Sequence, residues 1–213
     1  MHPELHIPVS EKLKTIPEFF GIRVNEEPKY QVVKSDGDFE IRQYDPVVLA
    51  KLTMSGLSYD RYREMAFKRL ANYIFGGNMA AKSASMSSPV LEEKAPSEMI
   101  PMTAPVLQEK SSEKEWTMAF ILPEKYSLTT APKPLDPDIS LVSLPIFLVA
   151  VVKYSGNNSA QKITQYENKL HEWLRSQPDY LVDGLPYCAQ YDAPFVLPFV
   201  KRNEIHIRVH RRH

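Results

Sequence analysis

The sequence predicts an α+β domain: antiparallel strands closing into a barrel-like core, in two related halves, each with one helix outside. Three observations carry that expectation. Proline outnumbers glycine, 18 to 7, the reverse of average usage at about 5% and 7%. Proline is excluded from helix interiors and central ladder positions, which disfavours long helical bundles and doubly wound α/β folds. Short segments alternate apolar and polar residues between turn residues, and the order strand, Ser-Gly, helix, Ala-Pro, strand occurs twice.

Residues 1–29 carry four prolines and no sustained period, and read as an arm lying over the domain. Tyr30–Val33 and Phe39–Tyr44 alternate on either side of Ser35-Asp36-Gly37, a hairpin signal. Val47–Met54 is a third strand, ended by Ser55-Gly56. A helix capped by Ser58 or Asp60 follows, with Tyr62, Met65, Ala66, Arg69, Leu70 and Tyr73 at three- and four-residue spacing, stopped by Gly76-Gly77. Residues 78–98 are rich in Ala, Ser, Lys and Glu without a period, which predicts an exposed, mobile loop. Trp116–Leu122 is a buried strand, and 123–138, with four prolines, a stiff connector. Ile146–Tyr154 is a nearly all-apolar strand ending in Ser155-Gly156. The second helix, 159–176, aligns Ile163, Tyr166, Leu170, Trp173 and Leu174. Tyr187–Tyr191 and Asn203–Val209 are the last strands.

Ala50, Ser55, Gly56, Leu70, Tyr73 and Ile74 stand 100 positions before Ala150, Ser155, Gly156, Leu170, Trp173 and Leu174. Ala104-Pro105 and Glu115 match Ala193-Pro194 and Glu204 at an offset of 89. One domain over 30–210 is expected, with pseudo-twofold halves at about 30–122 and 139–210, so that 47–75 superposes on 147–175. Met86–Lys94 also resembles Met102–Lys110, and the extra copy is read as loop.

Twenty-six basic residues balance 26 acidic ones. No net charge draws the chain to a polyanion, so no nucleic-acid partner is expected. The longest apolar run, Ile146–Val152, is far short of the ~20 residues of a membrane span. The first residues have neither a basic flank nor an apolar core, so a cytoplasmic location is expected. A single cysteine, Cys188, excludes an internal disulfide and reads as buried and inert.

No G-x-S-x-G, H-E-x-x-H, Walker A or G-x-G-x-x-G pattern occurs, and no nucleophile with an oriented base can be assembled, so the chain is not read as an enzyme. His206 and His210 share the polar face of the last strand with Arg208 and Arg212, which repel a cation; that strand end reads as solvated. His171 sits at the edge of the second helix's apolar face. The first helix offers two readings. Arg61, Arg63, Lys68 and Arg69 interleave with Tyr62, Met65, Phe67 and Leu70. This is either an ordinary amphipathic helix with snorkelling cations or a platform for a flat apolar ligand with acidic edges.

Tyr30-Gln-Val-Val33, Phe39-Glu-Ile-Arg-Gln-Tyr44, Met102-Thr-Ala-Pro-Val106, Ala131-Pro-Lys-Pro134, Tyr187-Cys-Ala-Gln-Tyr-Asp192 and Arg202-Asn-Glu-Ile205 resemble, in order, the SOUL/haem-binding protein family, and the doubled Met-x-x-Pro-Val segment resembles its plant-type members. The resemblance implies a distorted antiparallel β-barrel of two pseudo-symmetric halves with two helices. It also implies non-enzymatic, non-covalent binding of haem or another tetrapyrrole over the first helix and nearby loops. Carried onto this chain, the site residues are Tyr62, Arg63, Met65, Ala66, Arg69, Phe195 and Leu197, with Arg63 and Arg69 as partners for the propionates. Gln43 stands where some members carry a histidine proposed as axial ligand. A carboxamide is a poor iron ligand, so metal-independent binding is expected. The same architecture also resembles bacterial effector-binding domains, which makes a module for another apolar ligand or a protein partner, docked on helix 159–176, the alternative.

Overall fold

A computed structural model describes residues 25–81, 96–193 and 195–212. Most of the arm 1–29, most of the loop 78–98 and the first Met-x-x-Pro-Val copy lie outside the described residues. The strands are β1 (Tyr30–Asp36), β2 (Phe39–Tyr44), β3 (Val47–Ser55), β4 (Asn78–Met79), β5 (Val106–Ser112), β6 (Glu115–Ile121), β7 (Lys133–Pro134), β8 (Ile139–Leu144), β9 (Phe147–Tyr154), β10 (Tyr180–Val182), β11 (Tyr187–Gln190) and β12 (Asn203–Arg211). Helix α1 (Tyr59–Ile74) follows β3 and helix α2 (Ala160–Arg175) follows β9. A 3₁₀ turn, Pro198–Val200, precedes β12.

Ten strands form one curled antiparallel sheet in the order β1-β2-β9-β12-β11-β5-β6-β3-β8, with β10 also paired to β12. Strands β4 and β7 make a separate two-stranded ladder. The order is symmetrical about the β11–β5 pair: β6, β3 and β8 run outward on one side, β12, β9 and β2 on the other. This is the expected α+β architecture with a distorted barrel. Three strands of the ten-stranded sheet, and both strands of the β4–β7 ladder, were not read from sequence. Val106–Ser112 follows a turn-like Ala-Pro and is mostly polar, Ile139–Leu144 sits behind the proline-rich connector, and Tyr180–Val182 is only three residues long.

Both strand-to-helix turns need left-handed backbone, at Gly56 (φ 77°) and Gly156 (φ 102°). Any residue with a Cβ is strained there. Ser58 occupies the N-cap of α1 without a side-chain cap bond, whereas Ser159 caps α2 by accepting from the Lys162 N–H. Helix α1 buries Tyr62, Ala66, Leu70, Tyr73 and Ile74 against Val48, Ala50 and Leu52 of β3 and Met118 and Phe120 of β6. Helix α2 buries Leu170, Trp173 and Leu174 against Ile41, Ala150, Val152, Ile205 and Ile207. Each fully buried Leu or Ile contributes roughly 1.5–3 kcal/mol. Trp173 also stacks on Phe39, ring centroids 5.2 Å apart, and donates from Nε1 to Asp36 at 2.9 Å.

Strand alternation sends the remaining side chains to the inner face of the curl. Glu40, Arg42 and Tyr44 lie there from β2, Val149 and Val151 from β9, and Glu204 and His206 from β12; all are buried. The solvated strand end holds for the exposed His210, Arg211 and Arg212 but is corrected for His206: both faces of β12 are covered as far as Ile207, because the sheet curls over its own polar side. Five donors converge on Glu204. They are Arg42 Nη1 (2.9 Å) and Nη2 (3.1 Å), Arg202 Nε (2.9 Å), Tyr191 Oη (2.9 Å) and His206 Nε2 (2.7 Å). Arg42 is fully buried, donates from Nε to Glu40 at 2.7 Å and lies over the Tyr30 ring at 4.3 Å.

Replacing Arg42 by Met removes both of its bonds to Glu204 and strands buried carboxylates. The expected loss is about 3–5 kcal/mol, read from urea unfolding, and a loss below ~1 kcal/mol would mean that the knot is not structural.

Candidate functional site

Helix α1 carries most of the candidate residues, and the structure sorts them by direction. Tyr62 and Ala66 are fully buried and point into the core. The Tyr62 ring stacks on Trp116, centroids 5.8 Å apart, and its hydroxyl is buried without a partner among the described residues. Neither side chain is open to a surface ligand.

The outward residues occupy two opposite flanks. Successive residues advance about 100° around the helix, so Arg63 and Met65 stand ~200° apart. Arg69 shares the flank of Met65, four residues on. Its guanidinium is occupied: Nε donates to Asp136 at 2.7 Å, and Nη2 to Asp136 at 2.5 Å and Asp138 at 2.6 Å. These aspartates precede edge strand β8, so this flank faces the sheet edge. The Arg69 hydrogen bonds hold the Asp136 carboxyl below the usual carboxylate range.

Arg63 lies on the other flank with Phe67. It has no carboxylate partner among the described residues and sits over the Tyr59 ring at 5.4 Å. Phe67 is 37% exposed and meets the Phe120 ring edge-on at 5.4 Å. This flank faces the seam between the helices, above β5 and β11. Tyr59 donates from its hydroxyl to Gln108 of β5 at 3.0 Å. The Arg63 charge acts on Cys188 of β11 and on Lys201, at the end of the loop that carries Phe195 and Leu197. In that loop Val196 is buried and Leu197 half-buried, while Phe195 is 47% and Phe199 74% exposed. Partial burial pulls the Lys201 ammonium below its ordinary value, opposed by Asp192 and assisted by Arg63.

The structure thus gathers Arg63, Phe67 and the end of the Phe195–Leu197 loop on one side, and leaves Met65 and Arg69 on the other. Phe67, part of the platform read on the first helix, falls on the Arg63 flank, as their i, i+4 spacing requires. Gln43 sits on the face of β2 that carries Phe39 and Ile41, under α2. It therefore belongs to the other half from the α1 platform. Cys188 is buried, as read, and burial pushes its thiol up to about 11. His171 is half-buried on α2, and His210 is exposed. No group of three or more potential metal ligands occurs among the described residues.

A second feature lies on the inner face of the curl, a cavity of about 150 Å³. Leu49, Leu107, Ile121, Val142, Leu144 and Phe147 wall it, and Tyr44, Tyr187 and His206 supply polar groups. Burial would raise the Glu204 carboxyl, but the bonds and charges of His206 and Arg42 outweigh it and hold the group well below the usual carboxylate range. Burial lowers His206, and the opposing pull of Glu204 does not restore its ordinary value.

The curled sheet with one helix over each half defines an α+β domain of distorted-barrel type. A family model described as "SOUL heme-binding protein" matches residues 25–208. The chain belongs to that family. "Heme-binding protein 2" of Homo sapiens is 26% identical over 169 residues, covering 79% of this chain and 77% of that protein. "Heme-binding protein 1" of Xenopus laevis is 24% identical over 186 residues, covering 87% of this chain and 91% of that protein. Among solved structures, the EcmrR C-terminal domain aligns with a TM-score of 0.56 at 10% identity, over 86% of this chain and 99% of that one. A hydrolase from Listeria innocua aligns with a TM-score of 0.54 at 8% identity, over 84% and 94%. At such identities these two likenesses show the fold alone. No helix among the described residues is long and apolar enough to cross a membrane.

His206 gives the fold a pH dependence of known sign. Its folded pKa lies below the unfolded value of about 6.5. As pH falls through ~6.5 the unfolded chain takes up a proton that the folded chain refuses, so stability declines. Glu204, also depressed, contributes fully above about 4.3 and is lost only at lower pH. The unfolding midpoint is expected to fall between pH ~7 and ~5 in the natural chain and to stay level over that window in His206→Gln. Equal slopes in both proteins would refute the assignment.

Proposed function

We propose that the chain binds haem or a related tetrapyrrole non-covalently on the Arg63–Phe67 flank of α1, beneath the loop of Phe195 and Leu197, as a carrier, buffer or sensor without chemistry of its own. The domain would be one unit over 30–210, built from two related halves. Membership of a haem-binding family supports the ligand class. The observation that carries the location is Arg63, a cation without a carboxylate partner among the described residues, beside the half-exposed Phe67. Apolar area taken from water contributes about 2.5 kcal/mol per 100 Å². A propionate adds a charge-assisted bond to Arg63. Arg69 would have to leave two aspartates first, so its part is to fix α1 against the approach to β8. The inner cavity, at about 150 Å³, is of single-ring size.

With no imidazole required of the site, iron contributes little. Metal-free protoporphyrin is expected to bind within about tenfold of haemin, ~1.4 kcal/mol or less, in absorbance or fluorescence titrations. Arg63→Glu should weaken both by about tenfold, Arg69→Ala should leave them unchanged, and Gln43→His should leave the haemin spectrum as it is. A natural complex with strong histidine ligation, lost on replacing His171 or His206, overturns the mechanism. Absence of binding by either porphyrin at micromolar concentration transfers the platform to another apolar ligand or a protein partner.

A further inference from the structure

We infer that the inner cavity of the curled sheet is a second ligand site, on the face opposite the helices, for a small molecule of the phenol class: one aromatic ring carrying one hydrogen-bond donor. Three observations carry this. The first is size. A cavity of about 150 Å³ equals an engineered apolar cavity that takes up benzene. Leu49, Leu107, Ile121, Val142, Leu144 and the Phe147 ring offer apolar contact to a single flat ring, and Tyr44, Tyr187 and His206 add polar edges.

The second is an oriented acceptor. Glu204 is the sink for four other donors from Arg42, Arg202 and Tyr191, and stands as a carboxylate that can only accept. The 2.7 Å contact from His206 Nε2 to Glu204 Oε2 therefore places the proton on Nε2. In a neutral imidazole the other nitrogen, Nδ1, then carries a bare lone pair. Nδ1 has no hydrogen-bond partner among the described residues, and His206 lines the cavity, so a ligand there can replace water at this nitrogen.

The third is a second unspent polar group on the same lining. The Tyr187 ring lies 5.2 Å from the His206 ring, and its hydroxyl has no partner among the described residues. A phenol can donate to one group and accept from the other. Carboxylate-oriented histidines also serve as metal ligands and as bases. Here no set of three ligating groups occurs among the described residues, and no Ser, Thr or Cys side chain is bonded to His206. The dyad presents an acceptor. Lys51 and Arg208 stand against Glu109 around the cavity, which leaves only one excess positive charge and suits a neutral ring.

The probes are phenol and toluene, equal in size and differing in the donor. With the full chain labelled in nitrogen-15, phenol is expected to shift amides of β3, β6, β8 and β12, with those of α1 unmoved. It should also displace the His206 Nδ1 resonance and bind at least about tenfold tighter than toluene. His206→Phe should bind both equally. Because that variant disturbs the Glu204 knot, Val142→Phe, which fills the cavity without touching it, supplies the second arm: it should bind neither probe while its haemin titration stays unchanged. Toluene binding as tightly as phenol, shifts confined to α1, or no shift at about 1 mM phenol would overturn the site. None of these outcomes bears on haem binding.

Discussion

The Glu204 carboxylate is the group on which the inner half of this molecule depends. Removing a carboxylate from water costs several kcal/mol even after relaxation, and a single counter-ion seldom recovers it. Here Arg42 meets it with two nitrogens, and Arg202, Tyr191 and His206 complete its shell. The donors come from β2, from the segment after β11 and from β12 itself, so satisfying one carboxylate fixes how three parts of the sheet approach. The tie extends outward. Arg202 also donates to Glu27 at 3.0 Å, which fastens the chain before β1, and Lys153 binds Glu40 at 2.5 Å. Arg42, Arg202 and Lys153 balance Glu40, Glu204 and Glu27, so the cluster is neutral while His206 is neutral.

This arrangement gives the two faces of the sheet different work. The helix face is apolar and filled by side chains from α1 and α2, leaving exposed only the helix flanks and the loop before β12. The inner face holds the polar knot, and its curl leaves a small cavity beside it. The proposed site for a large flat ligand is outside, beside Arg63, which has no carboxylate partner among the described residues. The proposed inner site is of single-ring size. The two proposed sites make no competing demands on the same residues.

Much of this was legible in the sequence because period-two and three-to-four spacing report local burial directly. The Phe39–Tyr44, Val47–Ser55 and Asn203–Arg211 strands and both helices fall within a residue or two of their expected limits. The knot was not legible. Glu40, Arg42 and Glu204, His206 alternate with apolar residues just as a solvated strand face does, and the Arg42–Glu204 pair spans 162 positions. Nothing local separates a polar face in water from one closed over by its own sheet. The candidate ligand residues failed to gather for a similar reason. Arg69 is committed to Asp136, 67 positions away, and no helical spacing could announce that. Only the split between Arg63 and Met65 was open to reading, from the 100° step alone.

The size of the outer platform constrains what kind of binding it can support. A micromolar complex requires about −8.2 kcal/mol net, and association costs at least ~4 kcal/mol before anything is gained. The gross interaction must then reach roughly 12 kcal/mol. One charge-assisted bond contributes about 1.5–3 kcal/mol, which leaves ~9–10 kcal/mol for apolar burial. At 25 cal/mol per Å² this is close to 400 Å², shared between ligand and protein. The Arg63–Phe67 flank of a single helix, with Phe67 already 37% exposed and propped against Phe120, does not offer that much. The aromatic loop has to contribute the rest. Phe195 and Phe199, at 47% and 74% exposure, have the unspent apolar area, while buried Val196 anchors the chain between them. On this reading the loop supplies affinity and α1 supplies orientation.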